Sequence, residues 1–129
     1  MTHPNAELLE RTFGAFGRDP LAVARTLADD VVWRVPGATP MSGEYRGREA
    51  VLQFLRQTRV QTDDTYRSEL LYAVGGEGRA VGVYRATGAR KGRRLDIEQA
   101  LFCVVEDEQL ADVTAIPFDF PAFAAFWSE

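Results

Sequence analysis

Ala6, Leu9, Phe13 and Phe16 recur at spacings of three, four and three, the period of an amphipathic helix, and Gly17 ends the run. Asp19 followed by Pro20 reads as an N-cap and first helical position, so a second helix, LAVARTLA, starts sharply and ends at Asp29 and Asp30. VVWRV then reads as a short strand, and Pro36, Gly37, Pro40 and Gly43 mark a long loop. From Arg48, REAVLQFLRQT sets Val51, Leu52 and Leu55 on one stripe and predicts a third helix. The period then changes to that of strands. Tyr66 to Val74, Arg79 to Thr87, Leu95 to Val105 and Leu110 to Phe118 read as extended, separated by the turn signals VGGEG, ARKGR and EDE. Connectors this short join only antiparallel neighbours. The tail FDFPAFAAFWSE holds Phe118, Phe120, Phe123, Phe126 and Trp127 and predicts a short helix that must bury against this domain's mouth or a partner subunit.

Helices first and a meander afterwards predict an α+β fold with helices packed on one face of a sheet, and the 129 residues form a single domain, 1–129. With 46% hydrophobic and 26% charged residues, the composition is that of a globular chain. The net charge of −4 argues against a nucleic-acid or anionic membrane partner. No basic segment leads into an apolar run at the N-terminus, so the expected location is the cytoplasm. Arg90, Lys91, Arg93 and Arg94 form a local exception, read as a solvated hairpin tip. One cysteine, Cys103, and one histidine, His3, leave no ligand set for a histidine–cysteine metal site and no imidazole partner for a nucleophile. Cys103 reads as a small buried hydrophobe. The single lysine, Lys91, sits in the basic tip, which disfavours Schiff-base chemistry. The glycines of VGGEGRAVG lead into a strand and cradle no phosphate.

Alternation along the third extended stretch puts Leu95, Ile97, Gln99, Leu101, Cys103 and Val105 on one face, apolar except at Gln99. A turn centred on Lys91 and Gly92 opposes Tyr84 to Gln99, Arg85 to Glu98 and Thr87 to Asp96. A turn centred on Asp107 and Glu108 opposes Asp112 to Cys103, Thr114 to Leu101 and Ile116 to Gln99. Tyr84, Gln99, Asp112 and Thr114 then share an apolar face, where each polar group needs a partner or a wet cavity. Asp112 is the candidate general acid or base, because desolvation among apolar neighbours raises a carboxyl pKa towards neutrality. The alternative reading leaves it exposed just past a hairpin. Trp33 and Tyr72 read either as core or as cavity lining.

Three helices, a strand between the second and third, a four-stranded meander and an aromatic tail resemble the nuclear transport factor 2-like superfamily. LADDVVWRVPG, SGEYRGREAVLQFL, RATGARKGRRLDI and FAAFW resemble its SnoaL-like branch, which includes polyketide cyclases and is related to ketosteroid isomerases. The resemblance implies a cone-shaped α+β barrel, a curved and mostly antiparallel sheet around an apolar cavity, in a homodimer that associates through sheet faces. Carried over by position, the isomerase base falls on Val35 and its helix-one tyrosine near Arg11 or Thr12. Its second aspartate falls on Gln99, or on Ala100 if the following hairpin is aligned instead. Arg34 stands where the branch often has a histidine.

Two functions are expected. One is a small-molecule-binding cone-fold protein, which as an enzyme would be a cofactor-independent cyclase, isomerase or dehydratase acting on an apolar polycyclic or terpenoid-like metabolite, with Asp112, Gln99 and Tyr84 catalytic and Tyr84 and Gln99 polarising a carbonyl. Its ligand-binding residues are Trp33, Val35, Tyr45, Phe54, Tyr72, Leu101, Phe102, Thr114 and Phe118, and it calls for no metal and no cofactor. The other is a ligand-binding or dimerisation module without chemistry. In both, the expected partners are a small apolar molecule and a second copy of the chain, with no nucleic acid and no membrane.

Overall fold

The computed structural model describes residues 2–129. They form α1 (Pro4–Ala15), α2 (Pro20–Thr26), β1 (Leu27–Val35), β2 (Gly43–Arg46), α3 (Arg48–Val60), β3 (Arg67–Gly76), β4 (Arg79–Arg90), β5 (Arg93–Glu106), β6 (Gln109–Pro117) and α4 (Phe120–Trp127). The six strands make one sheet in the order β2-β1-β6-β5-β4-β3, antiparallel except where β1 runs parallel to β6. The core lies between one sheet face and the helices, with α1 on β3 and β4, α3 on β1 and α4 on β5.

Local chemistry fixes the helix starts. Asp19 and Asp119 each accept the amide N–H three residues on, at 3.1 Å, and so cap α2 and α4, each with a proline in the first turn. Helix α2 stops at Thr26, two residues short of the LAVARTLA reading. The Leu27 carbonyl, which a longer helix would use, instead accepts from the Arg48 guanidinium at 2.8 and 3.1 Å and from the Gln109 amide at 3.2 Å. The strand therefore begins at Leu27. Within the stretch read as loop and helix lead-in, GEYR forms β2 along β1.

The β4–β5 hairpin has the register that its turn predicts, with Tyr84 opposite Gln99, Arg85 opposite Glu98 and Thr87 opposite Asp96. The β5–β6 hairpin starts in the expected register at Glu106 and Gln109, but a bulge at Ala111 then shifts it by one residue. Asp112 thus pairs with Val104, Thr114 with Phe102 and Ile116 with Ala100, which moves all three to the outer face. The bulge lets Leu110 and Val113, three residues apart, both point inward, and both are fully buried. A second bulge at Leu71 keeps Leu70 opposite Tyr84 but sets Tyr72 opposite Val83 on the outer face.

Within the basic tip, Lys91 and Arg94 are exposed as a solvated hairpin end requires, but Arg90 and Arg93 are not free. Arg90 is buried and donates to the carbonyls of Phe126 and Ser128 at 3.0 and 2.6 Å, with its guanidinium 5.9 Å from the Trp127 ring centre. Arg93 donates to the carbonyls of Ala125, Phe126, Ser128 and Glu129. Two cations thus cap the C-terminal carbonyls of α4, where the helix dipole favours positive charge. They hold the aromatic tail on this chain's own sheet.

Candidate functional site

The inner face of the sheet and the helices over it do not close on each other, and they enclose a cavity of about 480 Å³. Its floor is Trp33 and Val35 of β1, Tyr84 of β4, Gln99 and Leu101 of β5 and Ala115 of β6. Its walls are Phe13 and Phe16 from α1, Phe54, Leu55 and Thr58 from α3, and Phe123 and Trp127 from α4. The aromatic walls support one another, Phe13 lying 5.0 Å from both Phe16 and Tyr84 between ring centres.

Two polar side chains meet on this apolar floor. The Gln99 amide donates to the Tyr84 hydroxyl at 2.6 Å, while its carbonyl oxygen, Oε1, is buried without a hydrogen-bond partner among the described residues. The Tyr84 oxygen accepts from Gln99, and its own proton is directed at the neighbouring Tyr66 hydroxyl. Burial pushes the Tyr84 phenol well above its ordinary pKa and also raises that of neighbouring Tyr66. Both stay neutral hydrogen-bond donors at physiological pH. The site therefore offers an open acceptor, Gln99 Oε1, beside a neutral Tyr84 hydroxyl, directed by packing rather than by charge.

A model of the SnoaL-like domain matches residues 9–113. The chain belongs to the SnoaL-like family. It is 31% identical over 124 residues to the Mycobacterium tuberculosis protein Rv0034, covering 95% of both chains. Among solved structures it is similar to Bal32a from a soil-derived mobile gene cassette, at 27% identity, TM-score 0.92 and 96% coverage of each chain. TerC co-crystallised with polyporic acid shares the fold at 19% identity and TM-score 0.82, covering 96% of this chain and 98% of that one.

In this SnoaL-like chain, Trp33, Val35, Phe54, Tyr84, Gln99 and Leu101 all face the cavity. Gln99, not Ala100, is the member of its pair that points inward. Tyr45 packs its ring, tilted, on Phe54 with 4.5 Å between ring centres, donates its hydroxyl to the Met41 carbonyl at 2.7 Å and lines a separate neighbouring cleft. The other expected site residues are displaced. Asp112 and Thr114 lie on the outer face because of the bulge at Ala111, and Tyr72 because of the bulge at Leu71. Phe102 lies there by simple alternation with Leu101, and Phe118, just past β6, is exposed as well. Asp112 meets the Arg34 guanidinium at 2.5 Å in a half-exposed pair on that outer face, away from the cavity.

Cys103 sits fully buried among apolar neighbours, and burial pushes its thiol up to about 12. It therefore packs as a hydrophobe. Among the described residues no cluster of three histidine, cysteine, aspartate or glutamate side chains could hold a metal, and no helix is long and apolar enough to cross a membrane. Sequence reading missed the charged rim of the cavity, formed by Arg18, Arg59, Asp64 and Arg67. No local pattern marks it, because Arg18 follows α1 while the others flank the turn from α3 into β3.

Proposed function

We propose that this chain binds a small, mostly apolar organic molecule and holds an oxygen function of that molecule against Tyr84 and Gln99. The unpartnered Gln99 oxygen, buried on the cavity floor beside the Tyr84 hydroxyl, carries this reading. A filled core would gain by replacing such a group with hydrocarbon, whereas a ligand presenting a donor satisfies it. TerC, which shares the fold, was co-crystallised with polyporic acid, an organic molecule of the kind proposed here.

Binding is favoured over acid–base catalysis. Asp64 is the one carboxylate among the described cavity-lining residues, and it stands at the open rim, where the hydrogen bond from Arg59 keeps its carboxyl below the usual carboxylate range. It is a poor proton shuttle near neutrality. A second reading, cyclase- or isomerase-like chemistry without cofactor, rests on the Tyr84 hydroxyl alone, its proton turned from Tyr66 to the bound molecule. Such a donor stabilises the oxyanion that develops when a bound carbonyl enolises.

The proposed unit is a cytoplasmic homodimer joined through outer sheet faces. Tyr72, Val74, Phe102, Ile116 and Phe118 stand exposed there around Val83 and Ala100, which they bury.

The chain's two tryptophans, Trp33 and Trp127, both line the cavity, so intrinsic fluorescence reports on its contents. Titration with polycyclic phenols and hydroxyketones should change this emission saturably. Tyr84→Phe should weaken these ligands about five- to tenfold while leaving matched hydrocarbons unaffected. Emission indifferent to every compound, or equal losses for oxygenated and hydrocarbon ligands, would overturn the reading.

A further inference from the structure

The rim of the cavity carries a charge pattern opposite to that of the chain. Of the charged residues lining the cavity, three are arginines (Arg18, Arg59 and Arg67) and one is an acid, Asp64, in a chain of net charge −4. They come from two adjoining connections at one end of the fold, the turn after α1 and the turn from α3 into β3. Asp64 orients this cluster more than it neutralises it. Its carboxylate accepts from Nε of Arg59 at 2.9 Å, which leaves both terminal nitrogens of that guanidinium without a partner among the described residues. Arg67 spends one terminal nitrogen on the backbone carbonyls of Asp64 and Tyr66, at 2.8 Å each, and keeps its other donors free. The Arg18 side chain makes no hydrogen bond or ion pair among the described residues. Guanidinium donors left open around an apolar mouth match a carboxylate or sulfonate in geometry as well as in charge, and low-dielectric walls focus their field into the opening.

We propose that the ligand of this cavity is an amphipathic organic anion, with its apolar body inside and its acidic group held at the rim by Arg18, Arg59 and Arg67. This rests on the reading of the cavity as a small-molecule site and adds the charge class of the molecule. The acidic group anchors the ligand from outside while Tyr84 and Gln99 meet its oxygen function inside, so the two polar ends fix its direction in an otherwise slippery apolar pocket.

Two fluorescent probes with the same apolar body separate the contributions. 1-Anilinonaphthalene-8-sulfonate carries an anion, and N-phenyl-1-naphthylamine is its neutral counterpart. Gly14 lines the cavity from α1, and a Cβ built there meets nothing within 4 Å, so Gly14→Phe serves as an occluded control that should still fold. Wild-type protein should bind the sulfonate more tightly than the neutral probe at low salt, with the difference shrinking as salt rises. The double variant Arg18→Gln/Arg67→Gln should lose about tenfold in affinity for the sulfonate and none for the neutral probe. Neutral-probe binding with no sulfonate preference, or a preference that survives in the double variant, would overturn the anionic class while leaving the cavity reading intact. If neither probe binds, or if Gly14→Phe binds both as well as wild type, the cavity reading fails and the proposal fails with it.

Discussion

Replacing Gln99 by leucine should leave the protein as stable as wild type or make it more so, although Gln99 is 3% exposed and hydrogen-bonded. The Nε2 bond to Tyr84 contributes about 1 kcal/mol net. Against it stands the unpartnered Oε1, whose desolvation costs about 1–3 kcal/mol. Leucine removes both at similar volume and leaves the Tyr84 hydroxyl its contact with Tyr66, which gives a net change between zero and about 2 kcal/mol in favour of the variant. Tyr84→Phe does the reverse: it strands the whole amide and should cost about 1–3 kcal/mol. The double variant should return close to wild type, because no buried polar group then lacks a partner. Equilibrium urea denaturation measures all three, with unchanged m-values required for the comparison. The reasoning is refuted if Gln99→Leu loses more than about 1.5 kcal/mol, or if Tyr84→Phe loses nothing. Either result would make the pair a structural fastening and not an unsatisfied binding element.

Asp107 and Glu108 both sit at positive φ, 50° and 62°, in the β5–β6 turn, so Glu108→Gly should stabilise by about 0.5–1 kcal/mol in thermal or urea unfolding. A destabilised variant would contradict this. Burial lifts the Cys103 thiol from 9.0 to about 12, so between those values the unfolded chain releases a proton that the folded chain retains. Stability should therefore be full below pH 9 and fall as pH rises towards 12, by up to about 4 kcal/mol at about 1.4 kcal/mol per unit. Tyr84 and Tyr66, raised in the same direction, add to the fall above pH 10. Cys103→Ala should flatten the slope just above pH 9, and an unaltered slope would sink the assignment. Phe102→Asp, in the middle of the exposed outer-face patch, should halve the mass found by sedimentation without lowering the melting temperature of the monomer core, whereas a wild-type monomer would remove the dimer proposal.

The fold was legible because the apolar period changes cleanly from helical to alternating after α3, and because turn residues punctuate every hairpin. The β4–β5 register followed from the two-residue Lys91–Gly92 turn, so Tyr84 and Gln99 could be placed opposite each other from sequence. Asp112 could not, because a bulge adds a residue where strict alternation assumes none. The signal was present in the spacing: Leu110 and Val113, both strongly apolar, stand three apart and cannot share a face of a regular strand. The arginines of the rim carry no such signal, since folding brings Arg18 to Arg59 and Arg67 from distant parts of the chain. Arg90 and Arg93 looked like a solvated run because the carbonyls they cap belong to a helix more than thirty residues away.

The central claim, an open cavity that takes one small molecule per chain, is tested most directly by native mass spectrometry with added N-phenyl-1-naphthylamine, comparing wild type with Gly14→Phe. The account predicts one adduct per chain on the wild type and none on the occluded variant. Equal adducts on both proteins, or none on either, would contradict it.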